Sequence, residues 1–241
     1  MYGWRGRIGA IVSPPNTVVE CEFAQMAPEG VSVHAARLGR PPGAEGPLTG
    51  DSVLQTNADL PRAASSLAEL RLDVVVFAHT AGSMLGGIEY DQELISMLEE
   101  TVGCPAVTTA SAAVAVLNRA GVRRLALSTP YPEEMTVKEA QFLQQAIPSL
   151  EVVSQRSMGT DTGIAIGDMS PQAAYREAQK IDTSGADALF LSGTNWRTIE
   201  VIAAMEADLG LPVFTANQVT MWAAMEQLKV AAKKGFGSLL D

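Results

Sequence analysis

One histidine stands where a predicted buried strand ends and the chain turns toward a helix. His79 follows the apolar run DVVVFA (73–78) and precedes the glycine-containing stretch TAGSMLGG. A neutral imidazole at such a turn can act as a general base, a general acid or a nucleophile near pH 7. His79 is therefore a candidate catalytic residue, and the alternative is a core histidine bonded to the backbone.

A second apolar run, DALFLS, ends at Gly193, which contributes a backbone N–H and empty space but no side chain. Together with Thr80 and Ala81, which follow the histidine, and with Thr194, it offers amides and hydroxyls for a carboxylate or a developing enolate. The sequence thus predicts an anion-binding arrangement. Helix N-capping uses the same geometry and is the alternative role of both threonines.

Three more polar side chains follow predicted strands. Asn16 lies in SPPNTVVE, Tyr131 lies in TPYPEE, and Asn195 follows Gly193 by two positions. Each can bind a substrate oxygen, and Tyr131 can also protonate a carbanion. The alternatives are a packing aromatic with an exposed hydroxyl for Tyr131 and a helix cap for Asn195.

The elements that must position these residues alternate along the chain. Continuous apolar, β-branched runs predict strands of parallel sheets covered on both faces, and the stretches between them have helical periodicity. The predicted strands are 7–12, 31–35, 73–78, 123–128, 150–154, 187–192 and 212–216, and the predicted helices are 89–101, 111–120, 132–147, 171–182, 198–209 and 217–234.

The two halves of the chain resemble each other at three points in the same order. IGAIVSPP parallels LALSTPYP, VVVFAHTAGS parallels ALFLSGTNWR, and CPAVTTASAAVAVL parallels LPVFTANQVTMWAA. We therefore predict an α/β fold of two pseudo-symmetric lobes, each a parallel β-sheet flanked by helices, with the active site between the lobes. The predicted lobes are 1–118 and 119–216, and a C-terminal helix within 217–241 is expected to pack back on the first lobe.

The stretch RPPGAEGPLTG (40–50) interrupts this regularity, because glycine and proline exclude any periodic pattern. It is predicted to be a loop. It is either a surface connection or a flap that closes over the cleft and excludes water.

Composition excludes several classes of function. A net charge of −10 disfavours nucleic acid and anionic membranes as partners. Two cysteines are too few for a disulfide framework, no zinc-type spacing is found, and no dinucleotide- or phosphate-binding glycine motif follows a strand. We therefore expect a protein without metal or cofactor. We also expect it to be cytoplasmic, since Pro14 and Pro15 cut the apolar N-terminal stretch well below the length of a signal peptide or a membrane span.

The residues described above resemble the aspartate/glutamate racemase superfamily, and within it the maleate isomerase and arylmalonate decarboxylase branch. The likeness runs almost end to end. It is carried by RIGAIVSPPNTVVECEFAQMAPEGVSVHAAR, VVVFAHTAGS, AGVRRLALSTPYPEEM and ALFLSGTNWRTIEVIAAMEADLGLPVFTANQ. The family fold implied by this resemblance is the two-lobed architecture with the ligand between the lobes.

The resemblance also implies a departure. Isomerases and racemases of this superfamily carry a cysteine at the strand-end loop of each lobe, and these positions fall at His79 and Gly193. Two-base racemisation is not expected, because glycine has no titratable group. The resemblance implies carboxylate binding or proton handling for Asn16, Tyr131 and Asn195, and it places Thr162 where the branch often has a substrate-binding asparagine.

These observations predict a cofactor-independent enzyme that acts on a small carboxylic or dicarboxylic acid by one-base carbon-acid chemistry. Decarboxylation, elimination and cis–trans isomerisation remain open, with His79 in place of the family cysteine. The alternatives are a hydrolase in which His79 activates water and a carboxylate-binding protein without catalysis. A homo-oligomer, most simply a homodimer, is expected.

Overall fold

The computed structural model describes residues 2–41 and 46–241. The first lobe contains a four-stranded parallel sheet whose strand order is β2-β1-β3-β4. Its strands are β1 (Gly6–Val12), β2 (Val31–Arg37), β3 (Val74–Ala78) and β4 (Ala106–Thr108). All five residues of β3 are buried, as expected for a β-branched run in the middle of a covered parallel sheet.

The second lobe repeats this plan. Its sheet is again parallel and four-stranded, with the order β6-β5-β7-β8. Its strands are β5 (Arg124–Thr129), β6 (Glu151–Ser157), β7 (Ala188–Leu191) and β8 (Val213–Thr215). The two sheets have the same order relative to their own first strand, which confirms the predicted pair of pseudo-symmetric α/β lobes.

Helices connect the strands and cover both sheets. In the first lobe they are α1 (Val19–Met26), α2 (Gly50–Thr56), α3 (Leu60–Ser65), α4 (Thr80–Met84), α5 (Ile88–Val102) and α6 (Thr109–Arg119). In the second half of the chain they are α7 (Glu133–Ala146), α8 (Gly163–Gly167), α9 (Pro171–Ala178), α10 (Ile202–Leu209) and α11 (Ala216–Leu228).

Several helix ends differ from the sequence-based prediction. The helix predicted over 217–234 ends at Leu228, because Lys229 adopts a left-handed conformation (φ 54°). The helix predicted over 198–209 begins only at Ile202, and the amides of Thr198 and Ile199 before it bind the buried carboxyl group of Glu22. The stretch predicted over 171–182 ends at Ala178.

The C-terminal helix α11 contacts both lobes: it packs on α1, α6 and β3 of the first lobe and on β8 of the second. The boundaries 1–118, 119–216 and 217–241 remain a prediction, as does the homo-oligomer. Within the described residues, no helix is both long and apolar enough to cross a membrane, and no group of three or more His, Cys, Asp or Glu side chains is placed to hold a metal ion.

The segment before α2 crosses from one lobe to the other. Part of the predicted loop or flap over 40–50, residues 42–45, lies outside the described residues. Beyond them, the Leu48 N–H donates to the Asp161 carbonyl of the second lobe at 2.6 Å. Helix α2 then begins at Gly50, capped by Thr49, whose hydroxyl accepts from the Ser52 amide.

Candidate active site

A cavity of about 150 Å³ lies between the lobes, beyond the carboxyl ends of the central strands. Its position agrees with the rule that ligands of open parallel sheets sit at this edge. Two turns face it: the first corner (residues 79–81), which follows β3, and the second corner (residues 193–195), which lies just beyond β7. Six of the nine site residues predicted from the sequence line the cavity, namely His79, Ala81, Tyr131, Thr162, Thr194 and Asn195.

His79 is the N-cap residue of α4, and its side chain faces this cavity. The residue is only 7% exposed, and its ring meets that of Phe77 edge-on, with centroids 5.5 Å apart. The Nδ1 atom is buried and has no hydrogen-bond partner among the described residues. Burial lowers the pKa of His79 to about 4, so the imidazole is neutral at pH 7.

The imidazole lies directly on the backbone of α4 at Gly82. A Cβ atom at this position would stand 2.4 Å from His79 Nδ1 and 2.8 Å from Cγ. Any side chain at residue 82 would therefore push the ring out of its place. The absence of a side chain at Gly82 is thus required for the position of His79 in the cavity wall.

We predict that Gly82→Ala lowers the free energy of unfolding by about 2 kcal/mol, the usual cost of overpacking a buried site. The same change made in a His79→Ala background should cost less than about 0.5 kcal/mol, because the atoms that it meets are gone. Urea unfolding of the two single variants, the double variant and the parent protein measures this coupling. Equal costs in both backgrounds would show that the ring does not rest on Gly82.

Tyr131 reaches the first corner from the second lobe and is buried. Burial raises the pKa of its phenol well above the ordinary range, and Glu139 acts in the same direction. The Thr80 hydroxyl and the Ala81 amide lie close enough to lower it in part, although the Thr80 hydroxyl makes no hydrogen bond of standard geometry. Tyr131 is therefore a protonated hydrogen-bond donor at neutral pH.

The second corner has the open geometry expected of an anion site. Gly193 has a φ of +151°, and a Cβ atom there would lie 3.0 Å from Pro130 Cγ. Within the described part of the chain, no acceptor is found for the N–H groups of Gly193, Thr194 and Asn195. Consecutive free amides beside a cavity can stabilise negative charge that develops on a bound carboxylate.

Three predicted site residues do not line the cavity. Thr80 and Gly193 lie behind their neighbours at the corners, and Asn16 is almost fully buried. The Asn16 Oδ1 atom accepts from the amides of Val18 and Val19 at 3.0 and 2.9 Å, so it caps the start of α1. Its position favours a structural role over direct substrate contact.

Asn195 lines the cavity, but its side chain joins the lobes. Its Oδ1 accepts from the Thr17 amide at 2.9 Å, and its Nδ2 donates to the carbonyls of Gly163 (2.7 Å) and Pro15 (3.3 Å). Thr162 likewise accepts from the Ala165 amide and caps α8. Both residues line the cavity, but their side chains are hydrogen-bonded to backbone groups. Substrate binding by these side chains stays a prediction.

The cavity wall also contains residues that the sequence analysis did not single out. Most are apolar, and they come from the segment around α2 and from α8; they include Leu48, Val53, Ile164 and Ile166. Arg40 is the one permanently charged side chain among the lining residues described. The capping-box pattern of Thr49 and Ser52 was the available signal for α2, although nothing in the pattern indicates that α2 faces a ligand.

Comparison with known proteins agrees with this geometry. The sequence model of the arylmalonate decarboxylase family matches residues 8–240. The chain belongs to this family. Among curated relatives, arylmalonate decarboxylase of Bordetella bronchiseptica is 28% identical, and the alignment covers 97% of this chain and 96% of the relative. Maleate isomerase of Pseudomonas putida is 25% identical, with coverages of 98% and 97%.

Solved structures of the family superpose along almost the whole chain. A liganded cysteine variant of arylmalonate decarboxylase gives a TM-score of 0.86 at 26% identity, with 98% of this chain and 99% of that chain covered. A Pseudomonas putida maleate isomerase with maleate gives 0.89 at 23% identity, with coverages of 98% and 97%. This member of the arylmalonate decarboxylase family thus has the fold of enzymes named as decarboxylase and isomerase.

The thiol chemistry of one neighbour has no counterpart among the cavity residues. A Nocardia farcinica maleate cis-trans isomerase was solved with a covalently bound succinylcysteine intermediate, at a TM-score of 0.86 and 22% identity, covering 98% of both chains. The two cysteines of this family member, Cys21 and Cys104, are both free, and neither lines the cavity. Burial and the nearby Asp73 and Glu99 raise the pKa of Cys104 to about 11.

Proposed function

We propose that this protein is a cofactor-independent decarboxylase of small malonic acids that carry an apolar substituent, with His79 as the proton donor to carbon. The observation that carries this proposal is the imidazole, buried and unpartnered at Nδ1, in the wall of a cavity that also meets the free amides of the second corner. The family membership and the names of the relatives support the reaction class.

The cavity wall supports the choice of substrate. One carboxylate of the acid binds the amides at the corners and the Tyr131 hydroxyl. The other lies against the apolar residues from α2 and α8, where loss of hydration favours release of neutral CO₂. Arg40 lines the cavity and is exposed, so it attracts an anionic substrate to a protein of net charge −10.

The bond between the α-carbon and the departing carboxylate breaks, and its electron pair enters an enediolate that the amides and Tyr131 stabilise. CO₂ leaves, and the imidazolium form of His79 transfers its proton to the carbon. The bound dianion makes this possible because a negative charge beside the ring raises the pKa of His79 from its low value in the free protein.

A second candidate function is cis–trans isomerisation of an unsaturated diacid. A specific observation favours it: the imidazole of His79 is neutral in the free protein and is therefore available as a nucleophile at pH 7. Addition of the ring nitrogen to the double bond would leave a single bond that can rotate before the nitrogen departs. Here the histidine must start unprotonated, so the pH profile separates the two functions.

The decisive experiment incubates the protein in D₂O with phenylmalonate, its half-ester and maleate, and follows each by ¹H NMR. We expect phenylmalonate to give phenylacetate with one deuterium at the α-carbon, while the half-ester reacts at least about tenfold more slowly because it lacks one carboxylate. Fumarate formed from maleate would support the second candidate. Binding of the acids without any conversion would contradict both and would leave a carboxylate-binding protein.

A further inference from the structure

A buried carboxyl group that the proposed chemistry does not use lies behind the second corner. Glu22, on α1 of the first lobe, is 1% exposed. Its Oε1 accepts hydrogen bonds from the amides of Thr198 at 2.8 Å and Ile199 at 3.3 Å, both in the second lobe. A carboxyl group of one lobe therefore holds the chain that continues from the corner of the other.

Asn217, at the start of α11, connects this carboxyl group to the corner itself. Its Nδ2 donates to Glu22 Oε2 at 2.7 Å and to the Thr194 carbonyl at 3.0 Å. Both amide hydrogens are thereby used. A reversed side chain would bring its oxygen against two other oxygens, so the carboxyl group fixes which atom of Asn217 meets Thr194.

The bond to Thr194 determines the direction of the next amide. All described peptide bonds are trans, and in a trans peptide the C=O and the following N–H point in opposite directions. Because the Thr194 carbonyl points to Asn217 in the interior, the Asn195 N–H points to the other side of the peptide. The Asn195 N–H therefore points away from Asn217, and Thr194 and Asn195 both line the cavity.

We propose that Glu22 is a positioning residue of the anion site: acting through Asn217, it turns the peptide between Thr194 and Asn195 so that the Asn195 amide faces the bound carboxylate. This proposal rests on the proposed function, which assigns the second corner to carboxylate binding. It extends that function by naming a residue on the opposite lobe that never touches the substrate.

The charge state of Glu22 sets the conditions of the test. Burial raises the pKa of Glu22 to about 7, as does the charge of Glu200, while the hydrogen bonds from Asn217, Thr198 and Ile199 lower it in part. At pH 8 the group is mostly ionised and accepts all of these bonds. Measurements are therefore made at pH 8.

The test is Glu22→Gln, with malonate as the probe and the backbone amides observed by ¹H–¹⁵N NMR. Glutamine keeps the size of the side chain, but it has only one acceptor oxygen for donors on both sides. We expect the malonate Kd to rise about tenfold, as for the loss of one hydrogen bond to a charged group. The malonate-induced shift at Asn195 should fall sharply, while saturating malonate still shifts Thr80 and Ala81.

Asp91→Asn is the matched control, because Asp91 is also a buried carboxyl group but lies on α5 and is not among the residues that line the cavity. It should leave the malonate shifts at both corners unchanged. If Glu22→Gln weakens both corners equally, or leaves the Asn195 shift intact, the positioning role is refuted. Should Glu22→Gln not fold, Asn217→Ala breaks the same link to Thr194 and is judged by the same shifts.

Failure of the proposed function has a different signature. In that case malonate shifts neither corner in the unaltered protein. The positioning role is then decided in the ligand-free protein by ¹⁵N relaxation, where Glu22→Gln should lower the order parameter of the Asn195 amide but not that of Thr80. Unchanged relaxation at Asn195 would overturn it.

Discussion

His79→Ala should lower kcat for the decarboxylation of phenylmalonate by about a thousandfold, within the usual range for loss of a general acid. Tyr131 also lines the cavity, but burial raises the pKa of its phenol well above the ordinary range, so it is a much weaker proton donor than an imidazolium. The amides at the corners remain, so binding of malonate should change much less than turnover. Single-turnover rates and the malonate Kd measure the two effects separately.

The pH dependence of the unaltered protein tests the same role. Burial lowers the pKa of His79 to about 4 in the free protein, so the ring must gain a proton when the dianion binds. For a proton donor, kcat/KM reports the free protein and should therefore fall about tenfold per unit as pH rises above about 4. A profile that stays flat over this range would instead indicate that neutral His79 acts as a nucleophile, as in the isomerase candidate.

His34→Ala is the appropriate control for His79→Ala. His34 is the other histidine of the chain, lies on β2 outside the cavity, and is within hydrogen-bond distance of the Ser32 hydroxyl at 3.0 Å. This variant should retain turnover within about twofold, since the residue meets neither corner. Loss of turnover in both histidine variants would point to a general effect on folding, and the proton-donor role would lose its support.

Gly193→Ala should raise the malonate Kd by at least about tenfold and destabilise the protein by about 2 kcal/mol, the usual cost of a strained backbone position. The added Cβ meets Pro130 Cγ at 3.0 Å and Cδ at 3.1 Å, at a φ of +151° that alanine rarely adopts. The corner must shift to relieve this contact, and its amides move with it. Urea unfolding and malonate titration give the two values.

Gly210→Ala separates the effect of backbone strain from the effect on the site. Gly210 also has a positive φ, of +69°, but nothing lies within 4 Å of its added Cβ, and it ends α10 and is not among the residues that line the cavity. It should cost about 1 kcal/mol of stability and leave the malonate Kd unchanged. Unaltered affinity in Gly193→Ala would show that the second corner does not bind the anion. Cysteine brings the same Cβ, so Gly193→Cys should not create a working thiol site.

The fold could be predicted from the sequence because its central strands have a clear apolar, β-branched pattern. A run such as DVVVFA is short, rich in β-branched residues and without helical periodicity, which favours a strand of a covered sheet. Strand β4, of three residues, was missed because so short a segment carries no pattern. Helix α1 was also missed: its start is stabilised by Asn16, whose capping role depends on the loop before it.

The position of His79 could be predicted for a similar reason, since a strand end in a parallel sheet is a fixed place in the fold. The hydrogen-bond partners of the Asn195 side chain could not be predicted from the sequence. Its side chain meets the backbone of Thr17 and Gly163, which are distant in sequence and come together only when the lobes pack. The same holds for Glu22, whose partners lie almost two hundred positions away.

The bond between Leu48 N–H and the Asp161 carbonyl has a consequence for how substrate enters. The side chains of Glu22 and Asn195 connect the two lobes through hydrogen bonds to backbone atoms. The main-chain bond from Leu48 to Asp161 connects the lobes at a different place, beside the apolar lining residues Leu48 and Ile164. Because displacing the segment around Leu48 breaks this main-chain bond but leaves the bonds of Glu22 and Asn195 intact, we expect substrate to enter and product to leave by local movement of that segment rather than by separation of the lobes.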